Sequence, residues 1–322
     1  MTTESENKVA YNPIRLDQMF HMATLSFKGL PPRNKSDKAE ARVVELRENM
    51  AEGSFHASKA LIGKDCLKVF DSAKKELMDH YYGNSIPPAE GKNAYVLIPH
   101  KGLSPFTIKM GTLKKRCEDA FMTFLREYGY EDPQKREEWL GLQRSRLGGK
   151  FNEEDYPEPN ELLKQFKIVY ETKAFGDIAE SAGSWVDHET LSQLKKQQNE
   201  SEKVISEYAS MTVWERLTTP LRAIVERLSE PDAGESMKAD GSKGFKDSLV
   251  TNLRDIVEKL PVLNFKGDER LEDIRTECLT LLKEIESPKA LRASSSKKTM
   301  AKQSTEDILK KVESYGVVKK RA

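Results

Sequence analysis

The run from Val186 to Glu230 constrains this chain most. It contains no glycine and a single proline, Pro220. Leu191, Leu194, Ile205, Tyr208, Met211, Trp214, Leu217, Leu221, Ile224 and Leu228 recur mostly at gaps of three or four. That spacing lays an apolar stripe along one side of a long helix. Gln198 and Ser201 fall on the same stripe, where a tight core would hold leucine. Such a helix is built to lie against something, either another helix of the chain or one of a partner. It carries no chemistry of its own.

Composition points the same way. The chain has 322 residues, 33% charged and 37% hydrophobic, and Lys, Glu and Leu are prominent. Helices with solvated outer faces have this composition, and it leaves only a thin core shared among extended elements. The three cysteines, Cys66, Cys117 and Cys278, are far apart and all fall in helical patterns. They form neither a disulfide framework nor a zinc spacing, and read as buried thiols in a reducing compartment. The N-terminal residues MTTESENKVA are polar and acidic, unlike a signal peptide. No apolar run reaches the ~20 residues a membrane span needs. The expectation is a soluble, cytoplasmic protein.

The fold class expected is mainly α. It is an extended helical bundle with a long amphipathic helix, a small two-stranded β element and a C-terminal helical hairpin. Residues 1–35 read as a flexible N-terminus, with PPRN at Pro31–Asn34 as a break. Residues 36–230 read as a helical domain holding the β element and the long helix. Within it, helices are expected from Asp37 to Ala51, Ala57 to Tyr82 and Lys109 to Tyr128. The apolar run Ala94–Pro99 and the alternating run Lys167–Phe175 are the strands expected to pair. Asp132 before Pro133, Asp187 and Asp268 stand where N-caps belong, and Gly148–Gly149 where a helix stops. Residues 231–244 read as a linker. Residues 245–286 read as the hairpin, its first helix stopped by Pro261. Residues 287–322 read as a basic, largely disordered tail, with a short helix over Thr305–Ser314 formed on binding.

Candidate chemistry is sparse. There is no phosphate-cradling loop, no dinucleotide fingerprint and no nucleophile elbow. His21, His56, His80, His100 and His188 are scattered, and none stands at metal-ligand spacing from another His or Cys. Glu153–Glu154–Asp155 lacks the alternation and turn glycine of a calcium loop and reads as a solvated turn. Trp139, Trp185 and Trp214 lie on helical stripes or at helix ends, where core packing explains them. No catalytic, cofactor or metal residues are assigned. The charge distribution says more. Residues 287–322 carry ten basic and three acidic side chains, a net +7, so the rest of this +1 chain carries −6. Lys297, Lys298, Lys302, Lys319, Lys320 and Arg321 are the candidates for sequence-blind contacts to phosphate.

Two segments resemble a known family. One runs from Arg146 to Phe166 and contains LGGKFNEEDYPEPNELLKQF. The other is Leu260–Leu271, LPVLNFKGDERL, which joins two amphipathic helices. Together they resemble mostly helical phage and bacterial proteins of unknown function, often encoded near a MoxR-like AAA+ ATPase and a von Willebrand A-type protein. The resemblance covers the central and C-terminal two thirds of the chain, excludes the basic tail, and brings no catalytic residues. It implies an accessory protein of a phage or bacterial cytosol that works with an ATPase. The expected function is therefore a non-catalytic helical adaptor or scaffold that binds another protein, an AAA+ ATPase or a second copy of itself. Its docking surfaces are expected at the polar positions of the long stripe and in the tail. The alternative is a sequence-independent nucleic-acid binder that uses the tail.

Overall fold

In the computed structural model, residues 15–91, 94–176, 185–229, 247–285 and 294–315 are described. In chain order the elements are β1 Phe20–Lys28, β2 Asn34–Ser36, α1 Lys38–Arg47, β3 Ser58–Ala60, α2 Lys68–Gly83, β4 Val96–Pro99, α3 Leu103–Glu127, α4 Pro133–Leu147, α5 Pro159–Gln165, β5 Lys167–Ala174, α6 His188–Ser229, α7 Asp247–Leu263, α8 Glu269–Glu284 and α9 Ser295–Tyr315. The protein is mainly α, with a three-stranded sheet of order β4-β1-β5 and a separate β2-β3 pair. The two strands expected to pair are thus separated by β1, which sets Phe20 against Pro99 and Ala23 against Val96 in antiparallel register. The sequence hides β1 because its buried residues, Phe20 and Ala23, are three apart and break the alternation of a half-buried strand.

By its contacts the chain forms two compact units, Met1–Ala23 with Asn84–Ser104 and Thr172–Ala322, and Thr24–Gly83 with Pro105–Glu171. This corrects the expected partition, because α6 belongs with the C-terminal helices and not with the N-terminal ones. The expected linker at 231–244 and residues 1–14 of the expected flexible N-terminus lie outside the described residues.

In the first unit, α6, α7, α8 and α9 share one apolar core that includes Leu217, Leu221, Leu253, Val257, Cys278 and Val312. Asp187 caps α6, accepting from the Thr190 backbone N–H at 2.9 Å. Pro261 does not stop α7, which runs on to the fully buried Leu263. Proline removes one backbone bond there, and the Asn264 N–H restores the next by donating to the Leu260 carbonyl at 2.8 Å. The largest correction concerns the expected disordered tail, because residues 295–315 form α9. Ala301, Thr305, Ile308 and Val312 are its buried stripe, at gaps of four, three and four. Two of the four are small or polar, so composition conceals the stripe. The Thr305 hydroxyl is satisfied locally, donating to the Ala301 carbonyl at 2.6 Å. Lys311 pairs with Glu277 of α8 at 2.7 Å, and Arg222 of α6 pairs with Glu313 at 2.7 Å.

In the second unit, α2 meets α3 through the Phe70 and Phe121 rings, 5.7 Å between centroids, and Phe121 stacks on Phe166, just after α5, at 3.7 Å. Pro105 sits inside α3, in the first turn, where its missing N–H has no helical partner to lose. The end of α3 is a Schellman turn. Tyr130 N–H donates to the Leu125 carbonyl at 2.8 Å and Gly129 N–H to the Arg126 carbonyl at 3.3 Å. Gly129 there has φ +100°. Asp132 then caps α4, accepting from Lys135 N–H. Arg136, in the first turns of α4, lies buried over the Tyr128 ring at 4.3 Å and donates to the Tyr156 carbonyl at 2.9 Å.

Candidate functional site

The clearest surface feature is α1 in the second unit, whose polarity is reversed. Its sequence, KAEARVVELR, is followed by ENM, and Ala39, Val43, Leu46 and Met50 recur at gaps of four, three and four. That spacing would ordinarily mark the core face of a helix. Here all four are exposed, Val43 by 59% and Leu46 by 62%, while Glu45 on the other side is only 2% exposed. The reason is hydrogen bonding. The loop after α1 turns its Phe55 N–H towards the helix, and the Glu45 carboxylate accepts it at 3.2 Å. This bond to Phe55 holds the Glu45 carboxyl below its ordinary range, helped by Arg42 and the Gly53 N–H against the opposing cost of burial. The helix end is fixed by Asn49 in the left-handed region, φ 53°, and by the Met50 N–H donating to the Glu45 carbonyl oxygen at 2.8 Å.

The start of α1 is anchored too. Asp37 caps it, accepting from Glu40 N–H at 3.0 Å. Lys150 reaches Asp37 at 3.1 Å and Glu40 at 3.0 Å. Lys59 of β3 donates to the Lys150 carbonyl at 2.8 Å and lies 2.6 Å from the Asp155 carboxylate, which Lys35 of β2 also reaches at 2.5 Å. Burial alone would raise the Asp155 carboxyl. Lys35 and Lys59 override it and hold the group below its ordinary value. The expected solvated turn at 153–155 is thus partly an internal clamp. A helix pinned at both ends presents its apolar stripe on a rigid support, which lowers the entropy lost on docking.

Of the two polar stripe positions of the long helix, Ser201 is exposed and Gln198 is committed within the chain. Gln198 donates to the Gly176 carbonyl at 3.3 Å and to Glu202 at 2.6 Å, and Glu202 accepts the Leu16 N–H at 3.0 Å. Gln198 is therefore a brace, not a docking position. Of the basic candidates, Lys297, Lys298 and Lys302 stand on the first turns of α9, and Lys302 pairs with Glu306 at 3.7 Å. Further along, Lys310 pairs with Asp307 at 3.8 Å. Lys319, Lys320 and Arg321 lie outside the described residues.

The other sequence candidates distribute as follows. His21 and His100 meet, their rings 4.7 Å apart, with the His21 Nδ1 buried and without a hydrogen-bond partner. Burial first, and His100 second, lower the His21 pKa. Among the described residues no three His, Cys, Asp or Glu side chains gather as a metal site. Cys117 and Cys278 are buried, and burial pushes their thiols up to about 11 and about 12. Cys66 is only half-buried, outside the expectation for it. Trp139 packs edge-on against Tyr128 at 4.5 Å and Trp214 is 6% exposed, but Trp185 is 94% exposed and is not core. Among the described residues no helix is long and apolar enough to cross a membrane.

Sequence reasoning placed a helix over Asp37–Ala51, where α1 lies, but missed its outward apolar face. Its periodicity was present, but periodicity gives a stripe and not the side of the helix that faces inward. No family model, curated protein or solved structure matches this chain.

Proposed function

We propose that this protein is a non-catalytic helical adaptor or scaffold of a bacterial or phage cytoplasm, and that it binds another protein through α1. The observation that carries this reading is the exposed stripe of Val43, Leu46 and Met50 above a buried Glu45. Contiguous apolar surface on a rigid helix costs solubility and marks an interaction site in soluble proteins. A stripe at gaps of four, three and four suits a helical counterpart. An ATPase of the MoxR-like AAA+ type is the partner class that the family resemblance implies.

The test is affinity capture from nuclease-treated native lysate with the wild-type chain and with Leu46→Glu. A protein held by the wild type and released by the variant supports the adaptor reading. No difference between the two baits sinks it. Partners lost only on nuclease treatment would move the reading to the basic residues and nucleic acid.

A further inference from the structure

The stripe on α1 has a property that its exposure alone does not require: it is complementary to itself. We infer that α1 docks antiparallel on α1 of a second copy of this chain. This rests on the reading of the stripe as a docking surface and names its occupant.

The four stripe positions are symmetric about a point midway between Val43 and Leu46. Turning a second helix end for end therefore sets Val43 against the partner's Leu46 and Ala39 against the partner's Met50, small residue against large. The flanks decide the orientation. Glu40 and Arg47 lie along one side of the stripe, one position beyond Ala39 and Leu46. In the antiparallel arrangement Glu40 meets the partner's Arg47, and Arg47 meets the partner's Glu40. In a parallel arrangement Arg42, on the other flank, would face the partner's Arg47, so like charges would oppose each other on both sides. The charge pattern therefore selects a two-fold antiparallel pair, the arrangement of an isologous dimer.

Neither charged side chain is locked away from this role. Glu40 is 49% exposed beside Lys150, and Arg47 is 72% exposed beside Glu48. Exposed pairs of this kind are weak and exchange readily. The contact is small. A stripe of about three turns covers on the order of 400 Å² per copy, about half of a standard interface, so a weak pair is expected, with a dissociation constant above about 1 µM.

The experiment is sedimentation velocity on the full chain, up to about 300 µM, well above that bound. The wild type should pass from monomer to dimer with concentration, and Leu46→Glu should stay monomeric. Arg47→Glu should weaken the dimer about tenfold, since it turns two attractions into two repulsions. Glu40→Arg combined with Arg47→Glu should restore most of that loss. A purely structural role for either residue would make the double variant worse, not better. Circular dichroism of each variant checks that α1 still folds. A wild type that stays monomeric overturns the inference, as does a dimer indifferent to Leu46→Glu or a double variant no better than Arg47→Glu. A monomeric wild type whose captured protein is still lost on Leu46→Glu would overturn self-docking alone and leave the adaptor reading standing. If Leu46→Glu alters neither result, both fall.

Discussion

Gly129 offers a sharp test of how the second unit is held, because Gly141 on the adjoining helix provides a matched control. Gly129 closes the Schellman turn of α3 at φ +100°, and a Cβ there would lie 2.5 Å from the Arg136 Cα and 2.6 Å from its backbone nitrogen. The obstacle is the backbone of α4, which cannot rotate away as a side-chain tip can. Gly129→Ala therefore costs about 1–2 kcal/mol for the left-handed conformation of an L-residue. It adds about 1 kcal/mol as Arg136 is pushed from its place over Tyr128. Loss of the guanidinium bond to the Tyr156 carbonyl adds about 1 kcal/mol more. The total is about 3–4 kcal/mol, a large part of the stability of a small unit. Gly141 lies inside α4 with nothing within 4 Å of its would-be Cβ. Gly141→Ala should therefore stabilise by about 0.5–1 kcal/mol through helix propensity. Urea unfolding followed by circular dichroism and by Trp139 emission measures both. If Gly129→Ala unfolds within about 0.5 kcal/mol of wild type, the close approach of the α3 turn to α4 is wrong.

Other outcomes follow from the same contacts. Val312→Asp, placing a charge at a fully buried position of α9, should destabilise the first unit by about 3 kcal/mol or more; a melt unchanged from wild type would return residues 295–315 to the status of a tail. A thiol reagent should modify Cys66 in the folded protein and reach Cys117 and Cys278 only on unfolding, because burial keeps both of these protonated; equal labelling rates would contradict the packing. His21 is neutral in both states above its ordinary value of 6.5, and below it the unfolded chain takes up the proton first, so the first unit should lose stability as pH falls from about 6.5 towards the lowered folded value. Trp214 emission in a Trp139→Phe, Trp185→Phe background reports this, and His21→Gln should flatten the slope; an identical slope would assign it elsewhere. In the second unit, Glu45 and Asp155 have lowered folded values, so their contribution is complete above the ordinary 4.5 and 3.8 and is lost only as pH falls below these.

The sequence made helix ends legible wherever one side chain does the work locally. Asp132, Asp187 and Asp268 were placed as caps by short-range chemistry, and each accepts a backbone N–H a few residues on. Long-range partnerships were not legible. Nothing near β1 announces that β4 pairs with it, and nothing in α9 announces that Thr305 belongs inside, since its hydroxyl is satisfied by its own helix. Gln198 looked like a gap in a stripe because its acceptors, Glu202 and the Gly176 carbonyl, are settled only by the folded chain. The reversed face of α1 was hidden for the same reason: the groups that draw Glu45 inward lie on the loop that follows.

That reversal has a consequence that a single substitution can isolate. A burial-only view would turn α1 about half a revolution, hiding Val43 and Leu46 and exposing Glu45. The fold does not do so because the Phe55 and Gly53 N–H groups bond the Glu45 carboxylate, and a hydrogen bond to a charged group is worth about 1.5–3 kcal/mol. Exposure of the stripe is thus enforced by hydrogen bonding on the opposite side of the helix. Glu45→Leu separates the two effects, since it adds apolar burial while removing the acceptor. If burial governs, the variant melts higher. If hydrogen bonding governs, it melts lower, and Glu45→Gln, which keeps a carbonyl oxygen, recovers part of the loss. The same variant should also weaken whatever docks on Val43 and Leu46, because its support loosens while the docking residues stay unchanged. A Glu45→Leu protein that melts higher and binds as before would show that the stripe is exposed for want of core space, and that α1 is not held outward by Glu45.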